Sequence, residues 1–178
     1  RGVIIKGNKV ENIIISNCKI EVEDSQSTSS DFAGICRTLP SRNNQGDDRI
    51  WILNNTITGG SYGIYYFSNS SRTHHVNNIS GNTITSRVTG IYTKYSNVDS
   101  VYSNAVFQST FQPTPFNSIH IENSSKAKFY AKNKVYIEHD MKYGMYFNVT
   151  AGTAAQKLLI ANNEVIGTVK NPKMYGIY

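Results

Sequence analysis

Apolar positions recur along this chain in two short patterns, neither of helical period. The first is I-x-x-N-x-I, present at Ile52–Ile57 and again at Ile79–Ile84. The second is Gly-Ile-Tyr, which begins six residues after the last isoleucine in both places, at Gly63 and at Gly90. The stretches Ile52–Tyr66 and Ile79–Thr93 lie 27 residues apart and agree at eight of fifteen positions without a gap. Substituted forms of the first pattern appear at Ile15–Ile20 (Cys18 in the asparagine slot), Val101–Val106 (Asn104), Tyr130–Val135 (Asn133) and Ile160–Val165 (Asn163). The second recurs at Gly2-Val3, Gly34-Ile35, Ser118-Ile119, Gly144-Met145 and Gly176-Ile177.

Successive glycine slots are 32, 29, 27, 28, 26 and 32 residues apart, and asparagine slots 37, 27, 22, 29 and 30. Local spacing is kept while the gaps vary, so fixed strands are joined by variable loops. A period of this size implies stacked units that bury their core against one another. Strand side chains alternate faces. The isoleucine of Gly-Ile-Tyr and the residue two further on (Ile5, Arg37, Tyr66, Thr93, Ile121, Phe147) should therefore face inward. Arg37 is the misfit and marks a strand expected to end early. In I-x-x-N-x-I the apolar residues lie five apart, which uninterrupted alternation cannot place on one face. The chain must bend there, and the asparagine is expected to take the left-handed conformation. Asn55 stacked over Asn82 would form an amide ladder.

The composition agrees with strands and polar turns. There are 20 Ile, 20 Asn, 19 Ser and 14 Thr, against eight Ala and four Leu, so β-branched residues dominate and good helix formers are scarce. The leucine-rich repeat, which also carries one Asn per turn, is excluded by so few leucines. No apolar run approaches the ~20 residues of a membrane span. The net charge of +6 is modest. Its densest run, Lys126, Lys128, Lys132 and Lys134 around Phe129 and Tyr130, reads as a solvated face rather than a nucleic-acid groove. Cys18 fills an asparagine slot and Cys36 follows an inward residue, so they should not meet, and two free thiols are expected.

These motifs resemble the repeat of right-handed parallel β-helix proteins of the pectate-lyase-like class, which includes polysaccharide lyases and hydrolases, bacterial surface proteins and phage tailspikes. The resemblance covers essentially the whole chain. It implies an all-β, single-stranded parallel β-helix of about six coils over residues 1–178, with no internal domain boundary. Arg1 stands where an initiator Met would, and neither end reads as a capping helix. A fragment of a longer helix is expected, with unpaired strand edges at the Gly2 and Gly176 rungs.

Alternation places two rows on the outside. One reads Ile4, Cys36, Tyr65, Tyr92, His120, Tyr146, Tyr178; the other reads Lys6, Thr38, Phe67, Lys94, Glu122, Asn148. An exposed aromatic stripe with one ring per rung suits a glycan lying along the axis, and it equally suits a cross-strand ladder that only stabilises the sheet. Tyr65, Tyr92, His120, Tyr146, Phe67 and Lys94 are the candidate glycan-binding residues. Glycosidases place two carboxyl groups across a bond. The acid–base candidates are Glu138, His139 and Asp140 on a loop, with His120 and Glu122 one rung earlier; ordinary surface charge, with Lys94 pairing to Glu122, is the plainer reading. Asp47-Asp48 is no calcium loop, and His74-His75 lacks further ligands at metal spacing, so neither metal nor cofactor is expected. Five Asn-x-Ser/Thr triplets, beginning at Asn54, Asn69, Asn78, Asn123 and Asn148, are no more than this composition produces by chance.

The sequence thus leads to an extracellular β-helix shaft on a cell surface or virion. It would be a glycan-contacting segment of a larger surface or phage tail protein, trimeric if a tailspike. The alternative is part of a polysaccharide lyase or glycoside hydrolase. The partners expected are a polysaccharide and the rest of a longer chain, with no nucleic acid and no membrane span.

Overall fold

The computed structural model describes residues 2–6, 10–24, 27–38, 49–68, 74–109, 116–124, 128–138, 141–149, 158–167 and 175–178. Strands follow one another in groups of three. They are β1 (Val3–Ile5), β2 (Ile13–Ser16) and β3 (Lys19–Val22); then β4 (Ala33–Thr38), β5 (Ile50–Leu53) and β6 (Thr56–Gly59). Next come β7 (Tyr62–Phe67), β8 (His74–Ser80) and β9 (Thr83–Ser86), followed by β10 (Thr89–Lys94), β11 (Ser96–Tyr102) and β12 (Ala105–Gln108). The last groups are β13 (Phe116–Ser124), β14 (Phe129–Ala131) and β15 (Lys134–Ile137), then β16 (Met141–Val149), β17 (Leu159–Ala161) and β18 (Glu164–Gly167), and finally β19 (Tyr175–Ile177). Every third strand pairs in parallel. The first sheet runs β1-β4-β7-β10-β13-β16-β19, the second β2 to β17 and the third β3 to β18. This is an all-β parallel solenoid. A single 3-10 turn, Ser30–Phe32, capped by the Ser29 side chain, is the one helical element among the described residues.

The repeat is in register. Ile91 pairs with Ile64 on one side and with Ile119 on the other. Ile52 pairs with Ile79, and Ile57 with Ile84. Four coils, from β4 to β15, have a coil on either side, and their inward aliphatic side chains are no more than 1% exposed. The expected six coils are reached only by adding two end coils, each open on one face. Burying an isoleucine contributes roughly 2 kcal/mol, and β-branched side chains stacked rung on rung pack closely in the interior. The glycine slot permits this tightness. A Cβ at Gly63 would collide with Ile84 Cγ2 and sit 2.6 Å from the Gly90 carbonyl oxygen.

The asparagine slots form an amide ladder. Asn55 Nδ2 donates to Asn82 Oδ1 at 3.0 Å, Asn82 to Asn104 at 3.0 Å, Asn104 to Asn133 at 3.0 Å and Asn133 to Asn163 at 2.9 Å. Each Oδ1 also accepts the backbone N–H of the preceding slot, as from Asn55 at 3.0 Å and Asn82 at 3.1 Å. The second Nδ2 proton goes back one coil to a carbonyl, from Asn82 to Ile52 and from Asn104 to Ile79, both at 2.9 Å. Asn55, Asn82, Asn104 and Asn133 are almost fully buried and fully satisfied, as buried amides must be.

The bend itself falls one residue earlier than the sequence suggested. Asn17, Asn54, Ser103, Lys132 and Asn162 have φ between 53° and 56°, and Gly81 has φ 66°. Each immediately precedes a slot residue. The slot asparagine cannot serve as the left-handed residue, because its own N–H must reach the Oδ1 of the next coil. Two further expectations are corrected. Arg37 does not end its strand: β4 continues through it in register with Ile5 and Tyr66. Its side chain is buried, with Nη1 donating to the Ile5 carbonyl at 3.4 Å. Cys36 lies in the outward row yet is fully buried, whereas Cys18 is exposed; both are free thiols. No helix among the described residues is long and apolar enough to cross a membrane.

Replacing Asn82 by Leu would strand the Asn55 N–H and one Asn55 Nδ2 proton and take a donor from the Ile52 carbonyl. A loss of roughly 3 kcal/mol is expected, read from urea denaturation. Lys132→Gly should act in the opposite direction, adding about 0.5–1 kcal/mol. Lys132 is an exposed non-glycine residue at φ 56°, and a left-handed backbone costs L-residues more than it costs glycine.

Candidate functional site

The outer face of the first sheet gathers most of the candidate residues. Register aligns Ile4, Cys36, Tyr65, Tyr92, His120 and Tyr146 in one row, and Tyr178, just after β19, stacks on Tyr146 at 5.6 Å and 7°. Tyr65 and Tyr92 also stack, with centroids 5.2 Å apart and planes 18° from parallel. Coplanar rings side by side cannot come this close, so these rings turn their faces to each other. His120 breaks the stack. It meets Tyr92 edge-on at 62° and Tyr146 at 48°. The row is thus two tyrosine pairs with a tilted imidazole between them. Tyr65, Tyr92, His120 and Tyr146 are half-buried and Tyr178 is exposed, and the stacked rings turn their edges outward rather than the flat exposed faces expected from alternation.

More aromatic residues join this face than the sequence reading assigned to it. Tyr62 packs edge-on to Tyr65 at 4.8 Å and lies 6.0 Å from Tyr92. Tyr143 contacts Tyr146, Tyr175 and Tyr178, with centroids between 5.1 and 5.4 Å. Strict alternation would put Tyr62 and Tyr65, three apart, on opposite faces. The irregularity at Gly63-Ile64, where both residues are buried, brings them together. The signal was the motif Tyr-Gly-[Ile/Met]-Tyr, present at Tyr62, Tyr143 and Tyr175.

The second row aligns Thr38, Phe67, Lys94, Glu122 and Asn148. Lys94 Nζ lies 2.8 Å from Glu122 Oε1, and His120 Nε2 lies 3.4 Å from Glu122 Oε2. One carboxylate therefore faces an ammonium and an imidazole across two rungs. The hydrogen bond to Glu122 raises the Lys94 pKa. Phe67 stacks near Tyr65 at 6.3 Å and meets Tyr95 edge-on at 6.2 Å.

Of the acid–base candidates, the structure brings together His120 and Glu122. Glu138 is exposed, just beyond β15 on the third sheet, and His139 and Asp140 lie outside the described residues. On the outer face of the first sheet the described residues supply one carboxylate, Glu122, whereas glycoside hydrolysis ordinarily uses two. A separate cluster sits on the second sheet. There Asp99 Oδ1 is 2.8 Å from His75 Nε2 and 3.1 Å from Lys128 Nζ. Lys134 of the basic run pairs with Glu164 at 3.2 Å, while Lys126 and Asp47-Asp48 lie outside the described residues. Among the described residues no group of three or more His, Cys, Asp or Glu could hold a metal ion. Compared with protein-family models, with curated proteins and with solved structures, the chain matches none.

Burial raises the pKa of Tyr62, Tyr65 and Tyr92, most strongly Tyr92, whose position near Glu122 adds to the effect. A group whose folded pKa exceeds its unfolded value stabilises the fold fully below the unfolded pKa, and that stability is lost as pH rises through the folded pKa. The tyrosines and Lys94 act in the same direction. Thermal stability should hold to about pH 10 and fall above it. Phenolate absorbance should show a late-titrating component, part of which Tyr92→Phe should remove.

Proposed function

We propose that this chain is a rigid shaft segment of an extracellular right-handed β-helix protein of the pectate-lyase-like kind. Its setting would be a larger bacterial surface protein or a phage tail or spike protein, with glycan contact along its aromatic face. The observation that carries the reading is the pair of ties along one axis: the continuous buried asparagine ladder within and the row of paired tyrosines, bridged by His120, outside. Bending the solenoid would stretch hydrogen bonds on one side and compress stacked rings on another, so both resist it. Such a rod holds what it joins at a fixed distance and orientation.

Glycan contact is the second element of the reading. Half-buried tyrosines offer apolar rims together with phenol hydroxyls, and a saccharide has both apolar C–H patches and hydroxyls to match. With ring faces turned toward each other, the sugar would approach from the side, against the ring edges and the neighbouring Phe67, Lys94 and Glu122. The alternative, a polysaccharide lyase or hydrolase segment, is favoured by His120 and Glu122 standing 3.4 Å apart.

Tyr92→Ala separates these possibilities, since Tyr92 sits mid-row and leaves the inward Ile91 and Thr93 in place. A loss of about 1 kcal/mol or less in a thermal melt, together with weaker binding of an oligosaccharide, is the expected result. A larger stability loss with no glycan bound by the wild type at millimolar concentration would leave the row a ladder alone. Turnover of an acidic or neutral polysaccharide that is abolished by Glu122→Gln or Asp140→Asn would establish the enzymatic alternative.

A further inference from the structure

The outer face of the second sheet is built differently from the other two. Register places Ile14, Trp51, Asn78, Ser100, Phe129 and Leu159 in one outward row. A second row, two residues further along each strand, runs from Ser16 through Ser80 and Tyr102 to Ala161. Neither row carries a charged residue. At the equivalent places the third sheet carries ion pairs, Lys19 with Glu21 at 2.6 Å and Lys134 with Glu164 at 3.2 Å, and the first sheet carries Lys94 with Glu122. Charge beside the second face is confined to one flank, where Asp99 Oδ1 is shared by His75 Nε2 and Lys128 Nζ.

The aromatic residues of this face are also placed differently. Tyr65 and Tyr92 on the first sheet cover each other's rings, as do Tyr146 and Tyr178. Trp51, the sole tryptophan, is half-buried and meets no aromatic ring among the described residues. Its neighbours across the sheet are the aliphatic Ile14 and the carboxamide of Asn78. Two coils on, Tyr102 meets Phe129 edge-on at 5.8 Å. Between these two aromatic stations lie polar groups. Asn78 Nδ2 donates to the Tyr102 hydroxyl at 3.4 Å, and this donation, with Ser80 beside it, lowers the Tyr102 pKa. A phenol oxygen that accepts in this way keeps its own proton to donate away from the sheet. Asn78 Oδ1 has no hydrogen-bond partner.

The size of the face selects its occupant. Six strands at a rise of about 4.8 Å, with two rows about 7 Å apart, offer on the order of 300 Å². A stable protein interface buries roughly 800 Å² per partner, so a second copy has too little to hold. A purely apolar ligand would dehydrate the Tyr102 hydroxyl and the Asn78 carboxamide without replacing their water. An acidic chain would find no free cation, because Lys128 is already held by Asp99. A chain of pyranose rings, with apolar C–H patches, hydroxyls and no charge, matches every feature. We infer that the outer face of the second sheet is a binding site for a neutral oligosaccharide, anchored on Trp51 at one end and on Tyr102 and Phe129 at the other. It is separate from the tyrosine row of the first sheet and does not depend on it.

The test reads Trp51 itself, the only source of tryptophan emission in the chain. The intact chain is titrated with cellohexaose, xylohexaose, mannohexaose and maltohexaose as neutral probes and with hexagalacturonate as an acidic one, with calorimetry alongside. At least one neutral probe is expected to shift Trp51 emission saturably and to protect it from acrylamide quenching. Trp51→Ala should weaken that binding at least about fivefold. Tyr102→Phe, which keeps the ring and loses the donor, should weaken it as well. Tyr136→Ala, which takes a ring from the third sheet where it stacks on Phe107, should leave it unchanged. Should Trp51→Ala fail to fold, the emission shift and quenching protection of the wild type, together with Tyr102→Phe, decide. No shift with any neutral probe at millimolar concentration, equal affinity in Trp51→Ala, or hexagalacturonate bound as tightly as the neutral probes would each overturn the proposal. Binding seen by calorimetry with Trp51 emission unchanged would overturn it too, while the reading of the tyrosine row would stand. Self-association of the chain that Trp51→Ala abolishes would overturn it in favour of a second copy.

Discussion

A carboxamide can both accept and donate along a stack with a strand-to-strand rise of about 4.8 Å. That coincidence supports the molecule. At each corner between the second and third sheets the backbone turns sharply, and its polar groups would otherwise be buried without partners. The slot asparagine satisfies them, taking the N–H and Nδ2–H of the previous coil on Oδ1 and returning its own proton to a carbonyl. Because every corner is satisfied by the next, the corners must align. Once they align, both sheets fall into register and the isoleucines stack. A slip of one residue would leave buried amides unpaired on two rungs at once and turn the inward isoleucines outward, so both costs oppose it.

The outer face of the first sheet follows a looser rule. Its tyrosines stack in two pairs, and His120 lies across the gap, near enough to Glu122 to share its carboxylate with Lys94. Nothing in the interior requires these residues, since the inward Ile91, Ile119 and Met145 already fill the core beneath them. The face therefore adds cohesion along the axis without being needed for the coil. Such a surface has room for a second role, and the charged groups on it are already partnered with one another. A buried arginine at Arg37, donating to the Ile5 carbonyl, shows the same latitude inside: one coil substitutes a cation where its neighbours carry Ile5 and Tyr66.

A solenoid has no closed core, so its coils must be tied to one another one by one. Each slot carboxamide does this in both directions. Asn82 donates one Nδ2 proton to Asn104 Oδ1 in the higher-numbered coil and the other to the Ile52 carbonyl in the lower one, so a single side chain links three coils.

The periodicity of apolar residues by itself determined the parallel solenoid, the in-register stacking of Ile64, Ile91 and Ile119, and the asparagine ladder. These are nearest-neighbour properties, repeated in every coil, and a repeated pattern states them many times over. The sequence also paired Lys94 with Glu122, since two residues at one slot in adjacent coils are neighbours by construction. Tertiary structure alone decided what depends on departures from that construction. The left-handed residue sits before the slot because the slot amide is already committed to the next coil. Tyr62 and Tyr143 join the aromatic face because the backbone irregularity at Gly63 and Gly144 breaks the two-residue alternation. Ring faces turn inward along the row because rings a rung apart gain more from stacking than from lying flat in water. Cys36 is buried although its place in the repeat is outward, which no single-strand periodicity encodes, whereas Arg37 keeps the inward place that alternation assigns it.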